Sequence, residues 1–232
     1  MMLIKERNGF NQMMNKQQLT EYYFNDLRLP IKLNDGRTIS NSNIVRGYQK
    51  VSQTLTESVV YTNINNLYLW SDIHFGHKNI IKYSNRPFES IQQMEDAFVK
   101  NYTDKITNDD VVIWGGDIGF MKAGFLNEII RPLPGKKILI VGNHDLDRSF
   151  NLLAFDCFDE THLCLPLVVD NIKFVITHYP LTRVPEDCYN IHGHIHTNLI
   201  NDGKHFNMCV EHTNYAPKNI KEFIGEVNAA IV

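Results

Sequence analysis

The stretch NLYLWSDIHFGH (66–77) decides the fold of this chain. Leu67–Trp70 is a short apolar run, the length of one buried strand, and it stops abruptly at Ser71. Asp72-Ile-His74 follows at once. The same form recurs in DVVIWGGD (110–117), KKILIVGNHD (136–145), NIKFVITHYP (171–180) and YNIHGHIH (189–196). Each reads as a buried strand whose C-terminal end delivers Asp, Asn or His.

Helical patterns lie between these runs. Ser90-Ile-Gln-Gln93 has the form of a capping box, and Ile91, Met94, Phe98, Tyr102 and Ile106 then recur at helical spacing. Residues 121–131 predict a helix stopped near Pro132 and Pro134, and Pro217 opens a last one with Ile220, Phe223, Ile224, Val227 and Ile231 on one face. Strand–helix alternation predicts an α/β fold. In such sheets, polar clusters at strand ends are where ligands bind.

The 232 residues suit one large domain, or one domain plus an extension. Residues 67–232 carry the sharp pattern and form the predicted main domain. Residues 1–66 are polar and weakly periodic, and are expected to pack on that domain as an N-terminal extension, covering a sheet edge or the rim of the site. Within them, NQMMNKQQLTEYYFNDLRL predicts a helix ended by Pro30, and Asn34-Asp-Gly36 predicts a hairpin turn. Residues 43–60 are ambiguous.

Lys and Arg number 23 against 26 Asp and Glu, a formal charge of −3, so no basic coat for duplex nucleic acid is expected. The four cysteines are scattered without a CxxC pair, which argues against a disulfide framework and a thiolate zinc site. No apolar stretch reaches the ~18 residues of a spanning helix, and the first residues lack a signal-peptide core, so a cytoplasmic protein with no membrane partner is expected.

Asp72 and His74, two residues apart on an extended backbone, are expected to point the same way and share one cation. His194 and His196 repeat that spacing after Gly193, while Asp117, Asn143 and His178 end three other runs. Carboxylate, amide oxygen and imidazole suit manganese, iron, nickel, zinc or magnesium. Seven candidates are too many for one tetrahedral ion and suit two ions sharing a bridging carboxylate. Arg86, in the loop after the first motif, is the candidate for a substrate phosphate, with a salt bridge to Glu89 or another carboxylate as the alternative. Asn79 is placed to touch substrate or to cap a short helix at 79–83.

SDIHFGH, GGDIG, GNHD, THYP and HGHIH together resemble the five ordered motifs of the calcineurin-like metallophosphoesterase superfamily, over roughly residues 67–212. GHKNIIKYSNRPF (76–88) and NMCVEHTNYAP (207–217) resemble small phosphoesterases of bacteria and their phages. The resemblance implies a two-layered mixed β-sheet core flanked by helices. It implies a first metal on Asp72, His74 and His196, a second on Asn143, His178 and His194, and Asp117 bridging both. His144 would face the substrate and Asp145 would orient it. Where many relatives carry a further Asp, this chain has Ile118-Gly119-Phe120. The implied activity is hydrolysis of a phosphate mono- or diester by a hydroxide bridging two divalent cations, manganese first among them. The expected substrate is a small phosphorylated molecule, such as a nucleotide or short oligonucleotide. The alternative is a protein-interaction scaffold that keeps the fold without catalysis. His77 and His192 are expected to support ligands, and His162, His205 and His212 to lie at the surface or behind the site.

Overall fold

The computed structural model describes residues 16–40, 44–45, 48–49 and 64–231, and most of the ambiguous 43–60 stretch lies outside them. Two β-sheets form the centre. In the larger, β3 (Leu67–Trp70), β4 (Val111–Trp114), β5 (Lys136–Ile140) and β6 (Glu160–His162) run parallel, and β11 (Lys218–Asn219) pairs antiparallel with β3 at the edge. The smaller sheet has the order β10 (His205–Asn207), β9 (Cys188–His192), β8 (Ile172–Thr177), β7 (Cys164–Val169). Only β7 is antiparallel to its neighbour there.

Side-chain alternation explains the layers. Leu67, Leu69, Ile113, Ile138 and Ile140 of the first sheet meet Leu165, Leu167, Phe174, Ile176 and Ile191 of the second. Trp70, Val112, Trp114 and Leu139 point the other way. There they meet α3 (Ile91–Lys105) through Met94, Phe98 and Tyr102, and α4 (Ala123–Ile130) through Leu126 and Ile130. The fold is thus a mixed α/β sandwich of two sheets flanked by helices. At the start of α3, Ser90 Oγ accepts from Gln93 N–H at 3.1 Å, but Gln93 Oε1 accepts from Glu89 N–H at 2.6 Å rather than from Ser90. The reciprocal half of the capping box is displaced by one residue. The short helix α2 (Ile80–Tyr83) follows Asn79, whose side chain makes no cap hydrogen bond.

Four strands have no counterpart in the sequence reading. β7 is CLPLVV, and its proline is tolerated because β7 is the outer strand of its sheet, where one edge needs no donor. β6 is only Glu-Thr-His, too short and polar for a periodic signal. β10 and β11 span three and two residues. Lys218 and Asn219 pair with Leu69 and Tyr68, so the last helix, α5 (Ile220–Ile231), starts three residues after Pro217.

The N-terminal residues form α1 (Lys16–Asp26) and a hairpin of β1 (Pro30–Lys32) with β2 (Thr38–Ser40). Both lie on the loops that leave β8 and β9. The Asp26 carboxylate accepts from Thr182 N–H and Arg183 N–H at 2.5 and 2.8 Å. Ile31 and Leu33 cluster with Ile195.

Candidate metal centre

Asp72 and His74 do not sit on extended backbone as the spacing suggests. They lie beyond the end of β3 with φ of 60° and 58°. Asp117, His194 and His196 adopt the same left-handed conformation, at 54°, 69° and 47°. A non-glycine residue there costs of order 1–3 kcal/mol and persists only where its surroundings enforce it. Here the loops enforce it on one another: Asp72 N–H donates to Gly116 O at 3.0 Å, His74 N–H to Asp117 O at 3.1 Å and Phe75 N–H to Ile118 O at 3.0 Å. Gly193 permits a close approach, because a Cβ there would meet Ser71 Oγ at 2.3 Å and Asp72 Oδ2 at 2.4 Å.

Asp72, His74 and His196 bring one donor atom each to a common point. Nε2 of His74 and of His196 lie 3.9 and 3.8 Å from Asp72 Oδ1, too far for hydrogen bonds. Two ligands at ~2.1 Å from one ion stand roughly 3–4 Å apart, which matches. Asp72 Oδ2 is occupied, accepting from Ser71 Oγ at 2.6 Å, His194 N–H at 2.9 Å and Cys209 Sγ at 3.2 Å. Asp72 Oδ1 and both ring nitrogens of His74 are buried with no hydrogen-bond partner among the described residues. Orphaned donor atoms converging on one point fit a cation. Burial alone would raise the Asp72 carboxyl, but His178, His196 and His74 hold it well below the usual range.

His196 is aimed from behind. Its Nδ1 lies 3.1 Å from Glu211 Oε1, and Arg86 Nε and Nη2 donate to that oxygen at 3.0 and 2.9 Å. Arg86 also donates to the carbonyls of Ile73 and Asp72 at 2.9 and 2.6 Å. This corrects the reading of Arg86 as a phosphate contact. Its guanidinium is fully buried and committed to Glu211 and the Asp72 loop, which is the salt-bridge alternative with a partner distant in sequence.

Asp117, His178 and His194 form a second cluster. His178 Nδ1 lies 2.8 Å from Gly115 O and can only donate there, which leaves Nε2 facing the cluster. That Nε2 is 3.4 Å from Asp117 Oδ1 and 3.2 Å from Asn143 Oδ1. Asn143 Oδ1 in turn accepts from the Tyr179 hydroxyl at 3.1 Å. Asp117 reaches both clusters, since its Oδ2 lies 3.7 Å from His74 Nε2. Burial pushes the Asp117 carboxyl up to about 7 against the pull of His178, and the Asp72 and Asp145 carboxylates add to the rise. A carboxylate so short of positive charge is where a cation gains most. All seven sequence-predicted ligands therefore meet at one end of the two sheets.

Asp145 holds backbone rather than the neighbouring imidazole. It accepts from Asp117 N–H at 3.0 Å, Ile118 N–H at 2.9 Å and Gly142 N–H at 2.7 Å. This corrects its expected role of orienting His144. The His144 N–H donates to Asp117 Oδ1 at 2.9 Å, and its side chain, 39% exposed, stands at the opening. Burial, with His178 next, pushes that imidazole down to about 4. Phe120 is 47% exposed and lies between the rings of His144 and His77, at 4.3 and 4.1 Å between centroids. Behind the site, His212 Nε2 lies 2.8 Å from His196 O and His192 Nδ1 lies 2.9 Å from Gly193 O. His162 is buried away from the site, 3.0 Å from Glu160.

Sequence reasoning missed Glu211, Ser71 and Tyr179. Ser71 and Tyr179 adjoin motif ligands and could have been flagged by position. Glu211 stands in NMCVEHTNYAP (207–217), whose resemblance to small phosphoesterases assigns it no role.

No protein-family model matches the chain. No helix among the described residues is long and apolar enough to cross a membrane. A solved structure of a protein of unknown function, AQ665 from Aquifex aeolicus, superposes with a TM-score of 0.53 at 25% identity, over 68% of this chain and 97% of that one. A conserved uncharacterized protein of Streptococcus pneumoniae, described as a predicted phosphoesterase, gives a TM-score of only 0.30 at 17% identity, over 62% of this chain and 70% of that one, too low to carry an argument. The uncharacterized protein MJ1445 of Methanocaldococcus jannaschii is 31% identical over 170 residues, 68% of this chain and 89% of its own length. At that identity and coverage, the chain belongs to the same family as this archaeal protein.

Proposed function

We propose that this chain is a calcineurin-like metallophosphoesterase that hydrolyses a phosphate mono- or diester with two divalent cations. One observation carries the reading: Asp117 turns one oxygen to each of two donor clusters, with Oδ2 toward His74 and Oδ1 toward His178. Asp72, His74 and His196 would hold one cation, Asn143, His178 and His194 the other, and Asp117 both. Bound there, two cations supply Lewis-acid charge for the phosphoryl oxygens and lower the pKa of an attacking water. In hydrolysis, the water oxygen bonds to phosphorus, the ester P–O bond breaks, and the alcohol leaves with a proton. The chain's own part is to orient that exchange. His144 stands exposed beside Asp117 and offers its ring N–H to an ester oxygen. Phe120 fixes that ring by packing on it. Manganese is the first choice of metal, and the substrate class is a small phosphorylated molecule, nucleotides and short oligonucleotides among them.

The test is metal analysis of protein purified without chelator, followed by assay of mono- and bis-aryl phosphates with added manganese. Two equivalents of metal and turnover that His144→Ala lowers about 100-fold support the reading. Metal that stays substoichiometric and cannot be restored, with no turnover, would point to a non-catalytic scaffold.

A further inference from the structure

The three loops that carry Asn143, His178 and His194 share one feature: contacts with described residues before 50. Tyr179 is the junction. Its hydroxyl donates to Asn143 Oδ1 at 3.1 Å, and its ring lies 4.1 Å from that of His194 and next to His178. Its own N–H donates to the Tyr23 hydroxyl at 3.2 Å, and its ring meets Tyr48 edge-on at 6.1 Å. Tyr23 and Tyr48 are fully buried and also touch each other. The Tyr48 hydroxyl donates to Val141 O at 2.6 Å, two residues before Asn143. Asp26 clamps Thr182 and Arg183, and the Tyr22 hydroxyl donates to Arg183 O, just beyond His178. On the other side, Arg37 donates to Asn198 Oδ1 at 2.6 Å and Asn34 N–H to Leu199 O at 3.3 Å, just beyond His196.

We propose that Tyr179 is a positioning residue for the second cation, and that α1, the hairpin and Tyr48 form the frame that holds it. This rests on the two-cation reading. An amide oxygen has two lone pairs: Tyr179 takes one of Asn143 and so turns the other toward His178 and Asp117. Asn143 is the one amide ligand of the set. The histidines also bind as neutral groups, but the His178 ring is held through its Nδ1 on Gly115 O, whereas the Asn143 amide is held by the Tyr179 hydroxyl. A partner behind a ligand of this kind typically contributes a factor of 10–100 in metal affinity. The N-terminal frame is then part of the metal centre rather than a cover over a sheet edge.

The experiment is calorimetric titration of manganese into the chelator-stripped full chain, in the wild type, Tyr179→Phe, Tyr23→Phe and Glu211→Gln. Tyr179→Phe keeps the ring and removes the hydroxyl. One of the two binding steps should weaken about 10–100-fold while the other stays within about twofold. The weakened step should differ from the one weakened in Glu211→Gln, which acts behind His196. Tyr23→Phe should weaken the same step as Tyr179→Phe by a smaller factor, and it decides the matter if Tyr179→Phe fails to fold. Two wild-type steps that both Tyr variants leave unchanged, or weaken equally, would overturn this inference alone. A wild type that binds fewer than two ions would overturn the two-cation reading beneath it.

Discussion

The two halves of the candidate centre are built from different physics. Behind the first cluster stands charge: His196 leans on Glu211, and Glu211 on the buried Arg86, all supplied by segments that follow β3. Behind the second stand neutral groups: the Gly115 carbonyl under His178, and the phenols of Tyr179, Tyr23 and Tyr48 leading into the N-terminal helix. A buried ion pair holds direction strongly but is costly to half-remove. A phenol network gives up less when one hydroxyl is lost. Loss of Arg86 in the first half should therefore show mainly in stability, and loss of a tyrosine hydroxyl in the second mainly in metal affinity.

Asp117→Asn tests whether the halves work as one, because that carboxylate faces both. We expect turnover to fall about 1,000-fold, roughly 4 kcal/mol, with the manganese-dependent rise in Tm reduced in parallel. Retention of near-wild-type rates with manganese present would break the shared-carboxylate reading. Arg86→Met tests the charged half alone. Leaving Glu211 buried without its guanidinium, with only His196 beside it, should cost about 3 kcal/mol, lowering the Tm of the chelated protein on the order of 10 °C. An Arg86→Met protein that keeps its Tm and loses only substrate affinity would restore the phosphate contact that the geometry argues against.

Chelation acts on both halves at once. Protein held at ~100 times its metal Kd gains about 2.7 kcal/mol over the metal-free form, so EDTA should lower the Tm several degrees. Identical melting with and without manganese would remove the basis for comparing the halves as metal sites. Asn79→Ala belongs to neither half and its side chain makes no cap bond, so we expect a change within about 0.5 kcal/mol by denaturant melting. A larger loss, or a rise in KM, would extend the site outward along the first motif.

The strand ends were legible because a buried parallel strand is a continuous apolar run, and the ligands follow each run directly. The spacing argument for Asp72 and His74 names two side chains that do converge, but for a wrong reason. Their side chains converge because tight left-handed turns aim them, not because extended backbone alternates. Nothing local in DIH or HIH announces such a turn, since the loops hold one another in it. Arg86 shows the same limit. The residue type suited phosphate as well as it suited a buried carboxylate, and only the fold brought Glu211 to it across 125 residues.

What the sequence determined by itself is the chemistry at the ends of the strands: seven donors of intermediate character, strand by strand, with glycines where backbone must pass closely. Those properties reside in residue types and in short-range order along the chain. What only the tertiary structure decided is which groups stand behind the donors: Glu211 and Arg86 on one side, Tyr179 with the N-terminal tyrosines on the other. Those partners come from segments far apart in the chain. A hydrogen bond or ion pair between such segments depends on where two sheets and a helix pack, so no local pattern in the residues can encode it.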